Sequence, residues 1–361
     1  MNILFISHLS GRISAGPCWS VPARIKAQAQ IDNVYWVNWG DAFLEHWGDT
    51  GVFHKSTELK FNGLVSLPKP FDLPDYVVFE GFYSVDSAKF AKELVKKGIP
   101  YIINPRGSLT IQARNNKSKL KKNIAHFLWF DRFIKQSSSI QYLTKQEKSD
   151  TFVKDHKCFV LPNGFNTPSR TKESFSDTQI KAIFIGRIDI YHKGLDLLIE
   201  ASASIVNELR GANVKFDIYG PLNTDAEKIQ SLAIEKGVID LFELRGEISG
   251  FAKENAILES DVFVLTSRFE GHPMGLIEAL AYGLPAIVTV GSNMKDEIEQ
   301  TDAGWACETS AESIRNGLRK MIEDRVVFKR KSDNAKALAA RYSWDKLAMG
   351  LHDQLVKIQN E

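Results

Sequence analysis

The chain has 361 residues, 43% of them apolar, with 46 Lys and Arg against 44 Asp and Glu. At roughly 150 residues per domain that length gives two domains, each able to bury its own core. The composition excludes disordered, collagenous and disulfide-stapled chains, and a net charge of only +2 argues against a protein built on nucleic-acid phosphates.

The first segment, Ile3–Ile6, is a short apolar run closed by Ser10-Gly11, as expected of a buried strand entering a loop. A helix is expected over Val21–Ala29. Further apolar runs follow at Val34–Val37, Tyr76–Phe79, Tyr101–Ile103, Ser139–Leu143 and Cys158–Leu161, with an amphipathic segment at Ser87–Lys97. A second series opens after the polar stretch 166–179. Ala182–Ile185 reads as a strand breaking at Gly186, Leu195–Arg210 as a helix, and Lys215–Tyr219 as a strand ending at Gly220-Pro221. Leu241–Arg245, Val262–Thr266 and Ala286–Val290 continue the pattern. Strand alternating with helix predicts parallel α/β architecture in two successive halves that meet near residue 165. Tyr342-Ser343-Trp344 opens a last helix, expected from about 344 to 358.

Cys18, Cys158 and Cys307 are far apart and make no metal spacing, which fits reduced thiols in a cytoplasmic protein. Met1–His8 lacks the basic start and apolar length of a signal peptide, and no run approaches the ~20 apolar residues of a membrane span. Charge is uneven. Residues 1–165 hold 22 basic and 14 acidic side chains, net +8; the remainder holds 24 and 30, net −6. The excess gathers between Arg106 and Lys135, where basic residues interleave with Leu120, Ile124, Phe127, Leu128, Trp129 and Phe130. Over 114–135 this pattern suits an anionic membrane surface, or equally a solvated basic face on an inward-packed helix.

No Gly-x-Gly-x-x-Gly, Walker loop, His-Glu-x-x-His or Gly-x-Ser-x-Gly is present, nor any Asp-x-Asp to hold a metal on a nucleotide diphosphate. A diphosphate would have to be neutralised by side-chain cations and backbone dipoles. Such groups occur in the second half. Gly186-Arg187 follows a strand, and His192-Lys193-Gly194 opens a helix, at the strand ends where open α/β sheets bind ligands. Then comes Ser267-Arg268-Phe269-Glu270-Gly271-His272-Pro273-Met274-Gly275-Leu276-Ile277-Glu278. Two glutamates flank a Gly/Pro turn at a helix start, whose amides favour an anion. A carboxylate before the turn can accept hydrogen bonds from sugar hydroxyls; one in the helix can clamp a vicinal diol.

This constellation resembles the retaining family 4 glycosyltransferases of the GT-B fold. Pro162-Asn163-Gly164, Tyr219-Gly220-Pro221 and Tyr342-Ser343-Trp344 are similar to further family elements. The resemblance implies two Rossmann-like domains facing a central cleft: an N-terminal acceptor-binding domain, 1–165, joined by a returning helix at 342–361, and a nucleotide-sugar-binding domain, 166–341. It implies that Arg187 and Lys193 hold the donor diphosphate and that Glu270 contacts the donor sugar. Gly186, Gly271, His272, Pro273 and the amides of Met274, Gly275 and Leu276 would lie along the donor. Glu278 would bind the ribose, with the base near Arg245-Gly246-Glu247-Ile248.

No metal and no other cofactor is expected. The loop after the first strand departs from the family in having no Gly-Gly pair; Gly16 is its donor-facing candidate. Asn104-Pro105-Arg106-Gly107 resembles a Pro-Arg-Gly subgroup of bacterial members, which places Arg106 near the leaving phosphate or an acceptor anion. Glu80, also beyond a strand, is the second acceptor-side candidate or equally a structural cap.

The reaction implied is hexose transfer from a nucleotide sugar, UDP-linked on family grounds, to a glycan or lipid-linked acceptor in bacterial surface polysaccharide synthesis, on the cytoplasmic side of a membrane. Front-face substitution is implied, and a covalent route stays open. Two other readings share these residues: another GT-B enzyme, such as a nucleotide-sugar epimerase or a phosphorylase, and a non-catalytic sugar-nucleotide-binding subunit.

Overall fold

The computed structural model describes residues 1–12, 16–111, 130–270 and 272–360. The chain divides into two compact units, one formed by Met1–Gly164 with Trp344–Glu361, the other by Phe165–Ser343. Each is built on one parallel sheet.

In the first unit the strands are β1 (Asn2–Ser7), β2 (Asn33–Asn38), β3 (Phe53–Lys55), β4 (Tyr76–Glu80), β5 (Tyr101–Asn104), β6 (Ser139–Tyr142) and β7 (Cys158–Val160), in the order β3-β2-β1-β4-β5-β6-β7. β1 and β4 are apolar almost throughout because parallel strands are covered on both faces. One face carries Leu4, Ile6, Val77, Phe79 and Ile103 against the helix Val85–Lys97. Ser84 caps that helix by accepting from the Ser87 amide, and Gly98 ends it with φ +71. The other face carries Ile3, Phe5 and Val78 with the helix Pro17–Gln28, whose first residue is a proline that suits a helix start. Leu351 and Leu355 of the last helix, Trp344–Gln359, join this second core.

The second unit contains β8 (Ile180–Ile185), β9 (Val214–Tyr219), β10 (Phe242–Gly246), β11 (Val262–Leu265), β12 (Ala286–Thr289) and β13 (Gly304–Cys307), in the order β10-β9-β8-β11-β12-β13. The helix expected over Leu195–Arg210 is broken. It runs as Leu195–Ser204 and Val206–Gly211, with Ile205 at φ −133 between them and its side chain in the core. Gly220 is required where β9 ends: a Cβ there would lie 2.1 Å from the Gly186 carbonyl oxygen. The second unit begins and ends side by side, since the Phe165 amide donates to the Tyr342 carbonyl.

Of the basic stretch expected over 114–135, residues 114–129 lie outside the described residues. In the remainder, Phe130, Phe133 and Ile134 are buried in the first core and are not available to a membrane. Asp131, Arg132 and Lys135 are exposed. Among the described residues no helix is long and apolar enough to cross a membrane.

Candidate functional site

In the second sheet the chain winds outward from β8 through β9 to β10, then returns to lay β11 on the other side of β8. The carboxyl ends of β8 and β11 therefore flank the switch point, where open α/β sheets leave a crevice for ligands. Both segments singled out in the sequence lie there. Gly186-Arg187 follows β8, and Ser267–Glu270 follows β11.

Gly194 allows the two loops to meet. It has φ +61, and a Cβ would lie 2.0 Å from the Thr266 carbonyl oxygen. The Thr266 hydroxyl donates to the Gly194 carbonyl at 3.0 Å. Arg268 locks the same junction with a bidentate pair to Asp196, at 2.7 and 2.8 Å. His192 and Phe269 add a ring contact at 3.9 Å. The result is that Lys193 and Glu270, 77 positions apart, form an ion pair: Lys193 Nζ donates to Glu270 Oε1 at 2.6 Å. Ser267 Oγ donates to the same oxygen at 2.6 Å, while Oε2 receives no bond from a described residue. Asn293, at φ +59, donates its amide to the Glu270 carbonyl. Arg187 differs: its side chain is 64% exposed and only loosely paired, 3.5 Å from Asp189.

The helix Met274–Ala281 starts beside this pair. Two of its three expected anion-facing amides are already bonded, Met274 to the His272 carbonyl and Leu276 to that of Pro273. The Gly275 amide carries no such bond with a described residue, and its α-carbon passes close to β8: a Cβ would stand 3.1 Å from the Ile185 carbonyl oxygen. Gly271 lies outside the described residues. Pro273 is buried. Both ring nitrogens of His272 are buried with no hydrogen-bond partner among the described residues, and desolvation pushes its pKa down to about 4. Its ring faces Tyr342 at 5.7 Å.

Glu278 is ion-paired with Lys253 of the helix Gly250–Glu259. Arg245 is taken up by the sheet surface, where Asp217 at 3.0 Å and Glu243 hold its guanidinium. Its backbone, with Gly246, forms the end of β10. Gly186 donates its amide to the Tyr219 carbonyl.

In the first sheet the switch point lies between β1 and β4. Glu80 ends β4 but does not face solvent. Its carboxylate accepts from Arg24 at 2.7 Å, Arg106 Nε at 2.8 Å and Asn104 at 3.1 Å, all buried. Arg106 sits in a turn with φ +50 followed by Gly107 at +82, and also donates to Ser20 at 2.9 Å and Asn163 at 3.3 Å. Its Nη2 is buried and has no partner among the described residues. Beside Glu80 lies a cavity of about 150 Å³ lined by Ser7, His8, Gly81, Tyr83 and Ser84 among others. Gly16 precedes the helix Pro17–Gln28 and is exposed; apart from its chain neighbours, no described residue comes within 4 Å of where its Cβ would be.

Sequence reasoning missed the brace around the ion pair: Thr266, Ser267, Arg268 with Asp196, Asn293, and the Lys253 partner of Glu278. Ser267 and Arg268 stood inside the segment it selected. Asn293 and Lys253 come from separate elements, and nothing in the linear pattern joins them to it.

Two parallel, doubly wound sheets, one with cations and a helix start at its switch point, make an architecture of the GT-B type. Residues 166–339, within the second unit, match the family model described as glycosyl transferases group 1. An uncharacterized glycosyltransferase of Methanocaldococcus jannaschii, MJ1607, is 28% identical over 174 residues, 48% of this chain and 43% of that protein. The match thus spans less than half the length of that relative. Among solved structures, Anabaena HepE in complex with UDP has a TM-score of 0.74 at 14% identity, over 99% of this chain and 100% of that one. The lipopolysaccharide outer core galactosyltransferase WaaB, in its apo form, has a TM-score of 0.70 at 18% identity over 99% of each chain. These likenesses establish the GT-B fold.

Proposed function

We propose that this protein transfers a hexose, with retention, from a nucleotide sugar bound at the β8/β11 edge to a hydroxyl of a glycan or lipid-linked acceptor. The observation that carries the reading is the meeting of Lys193 with Glu270 at the second switch point, beside an exposed Arg187 and a helix start. One group suits a diphosphate and the other a sugar hydroxyl. The bond between the two halves of such a donor is the one that breaks. As it breaks, negative charge grows on the diphosphate, and Arg187, Lys193 and the Gly275 amide lie where they can favour that charge. The neutralising role assigned to these groups needs no metal. Glu270 and Glu278 serve in binding, one for the sugar and one for the ribose, with Lys253 holding the latter. Retention then follows front-face substitution on the donor.

UDP is the proposed carrier, in keeping with the UDP complex of HepE. Surface polysaccharide assembly on the cytoplasmic side of a membrane is the proposed setting, in keeping with WaaB and with the +8 charge of residues 1–165. The acceptor is assigned to the first domain, near the cavity beside Glu80, with Arg106 at its margin.

The test is a screen of UDP-, GDP- and ADP-sugars against glycan acceptors, with wild type, Lys193→Ala and Glu270→Ala, and the product anomer read by NMR. Full turnover in both variants would remove the site assignment. Donor consumption without an acceptor would favour an epimerase, and binding without turnover a non-catalytic subunit.

A further inference from the structure

We infer that the Lys193–Glu270 ion pair makes the site discriminate between a nucleotide sugar and the bare nucleotide diphosphate; the inference rests on the donor-site reading above. The geometry carries it. Lys193 has one ammonium, and in this structure it is spent on Glu270 Oε1 at 2.6 Å. Both side chains are mostly out of water, at 16% and 11% exposure. A diphosphate arriving at the β8 end must draw the ammonium away. Glu270 is then left as a half-buried carboxylate with the Ser267 hydroxyl as its remaining donor among the described residues. An underpaired carboxylate in such surroundings is costly.

What replaces the lysine decides affinity. A hexose on the diphosphate brings hydroxyls that donate to Oε1 and to Oε2, which no described residue bonds, so the carboxylate is paired again. A bare diphosphate brings none. Glu270 therefore competes with the nucleotide product for Lys193 and is satisfied by the sugar of the substrate. Once the hexose has left, the pair re-forms and UDP is expelled. Ser267 and Asn293 hold Glu270 in place while its partner changes: one on the carboxylate, the other on the carbonyl.

The consequence has a sign that a purely structural ion pair would not give. Removing the charge of Glu270 must strengthen binding of UDP even as it harms transfer. Calorimetric titration of UDP and UDP-glucose into wild type, Glu270→Gln, Lys193→Met and the double variant tests this. Glu270→Gln is expected to bind UDP about three- to tenfold more tightly than wild type, the scale of a half-buried ion pair. The preference for UDP-glucose over UDP should shrink by a similar factor. In the Lys193→Met background the glutamine should change UDP affinity by less than about twofold, since the competitor is gone. Unchanged or weaker UDP binding by Glu270→Gln, with wild type binding both ligands, overturns the inference and leaves the donor-site reading standing. If wild type binds neither ligand, the reading and the inference fall together.

Discussion

The two sheets carry arginines and glutamates at corresponding carboxyl edges, yet use them in opposite ways. In the first domain Glu80 is enclosed by Arg24, Arg106 and Asn104, which donate to both oxygens of its carboxylate. In the second, Arg187 stands in solvent, and the Lys193–Glu270 ion pair leaves one carboxylate oxygen without a partner among the described residues. The topology is shared, so the strand ends alone do not decide whether a charge binds a ligand. Enclosure does. A charge whose partners are all protein groups holds the fold together, and a charge with an open valence can act on something else.

Four experiments would break or sharpen that contrast. The largest effect is expected from Glu80→Ala, which strands two buried guanidiniums and should cost about 3–5 kcal/mol of stability in urea unfolding. A small loss of stability with a large loss of acceptor use would instead put Glu80 in the acceptor site. Lys193→Ala should lower kcat by about 10²–10³-fold, as for removal of one preorganised donor to a leaving charge. Its melting temperature should fall as well, because Glu270, mostly out of water, loses its cation.

Third is pH. His272 is neutral when folded, with a pKa near 4, while an unfolded histidine titrates near 6.5. Between those values the unfolded chain binds the extra proton, so stability must fall as pH drops from about 6.5 to about 4, by up to about 3 kcal/mol. His272→Phe should flatten that part of the curve relative to wild type; an unaltered slope would show that the ring gains a partner in solution. The smallest effect is expected from EDTA, which should leave turnover unchanged if Arg187 and Lys193 supply all the neutralising charge. Restoration of an EDTA-inhibited enzyme by Mg²⁺ would refute that.

Much of the fold could be read from short apolar runs. β1, β4, β8 and β11 are buried on both faces, and such strands announce themselves by hydrophobicity alone. β3 and β13 did not, because Phe-His-Lys and Gly-Trp-Ala-Cys are short and only partly covered. The broken helix at Ile205 was also invisible, since its apolar spacing continues while its backbone does not. At the candidate site, residue type and position beyond a strand picked out Lys193 and Glu270, although their pairing depends on Gly194 and Thr266 meeting in space. Glu80 shows the limit. Its position after a strand matches that of a ligand-binding acid, and only the three-dimensional neighbourhood reveals that Arg24 and Arg106 have used it up.

The first core is finished by Leu351 and Leu355, and His352 of the same helix meets Asp32 at 2.9 Å. The whole of the second unit lies between those residues and the strands they cover. During synthesis, the domain that starts first is therefore completed last. The ribosome finishes a self-contained 165–343 unit, with its two ends already side by side, before the helix that seals the earlier domain exists. Until then one face of the first sheet lacks part of its cover, and a truncation ahead of residue 344 would leave it that way permanently.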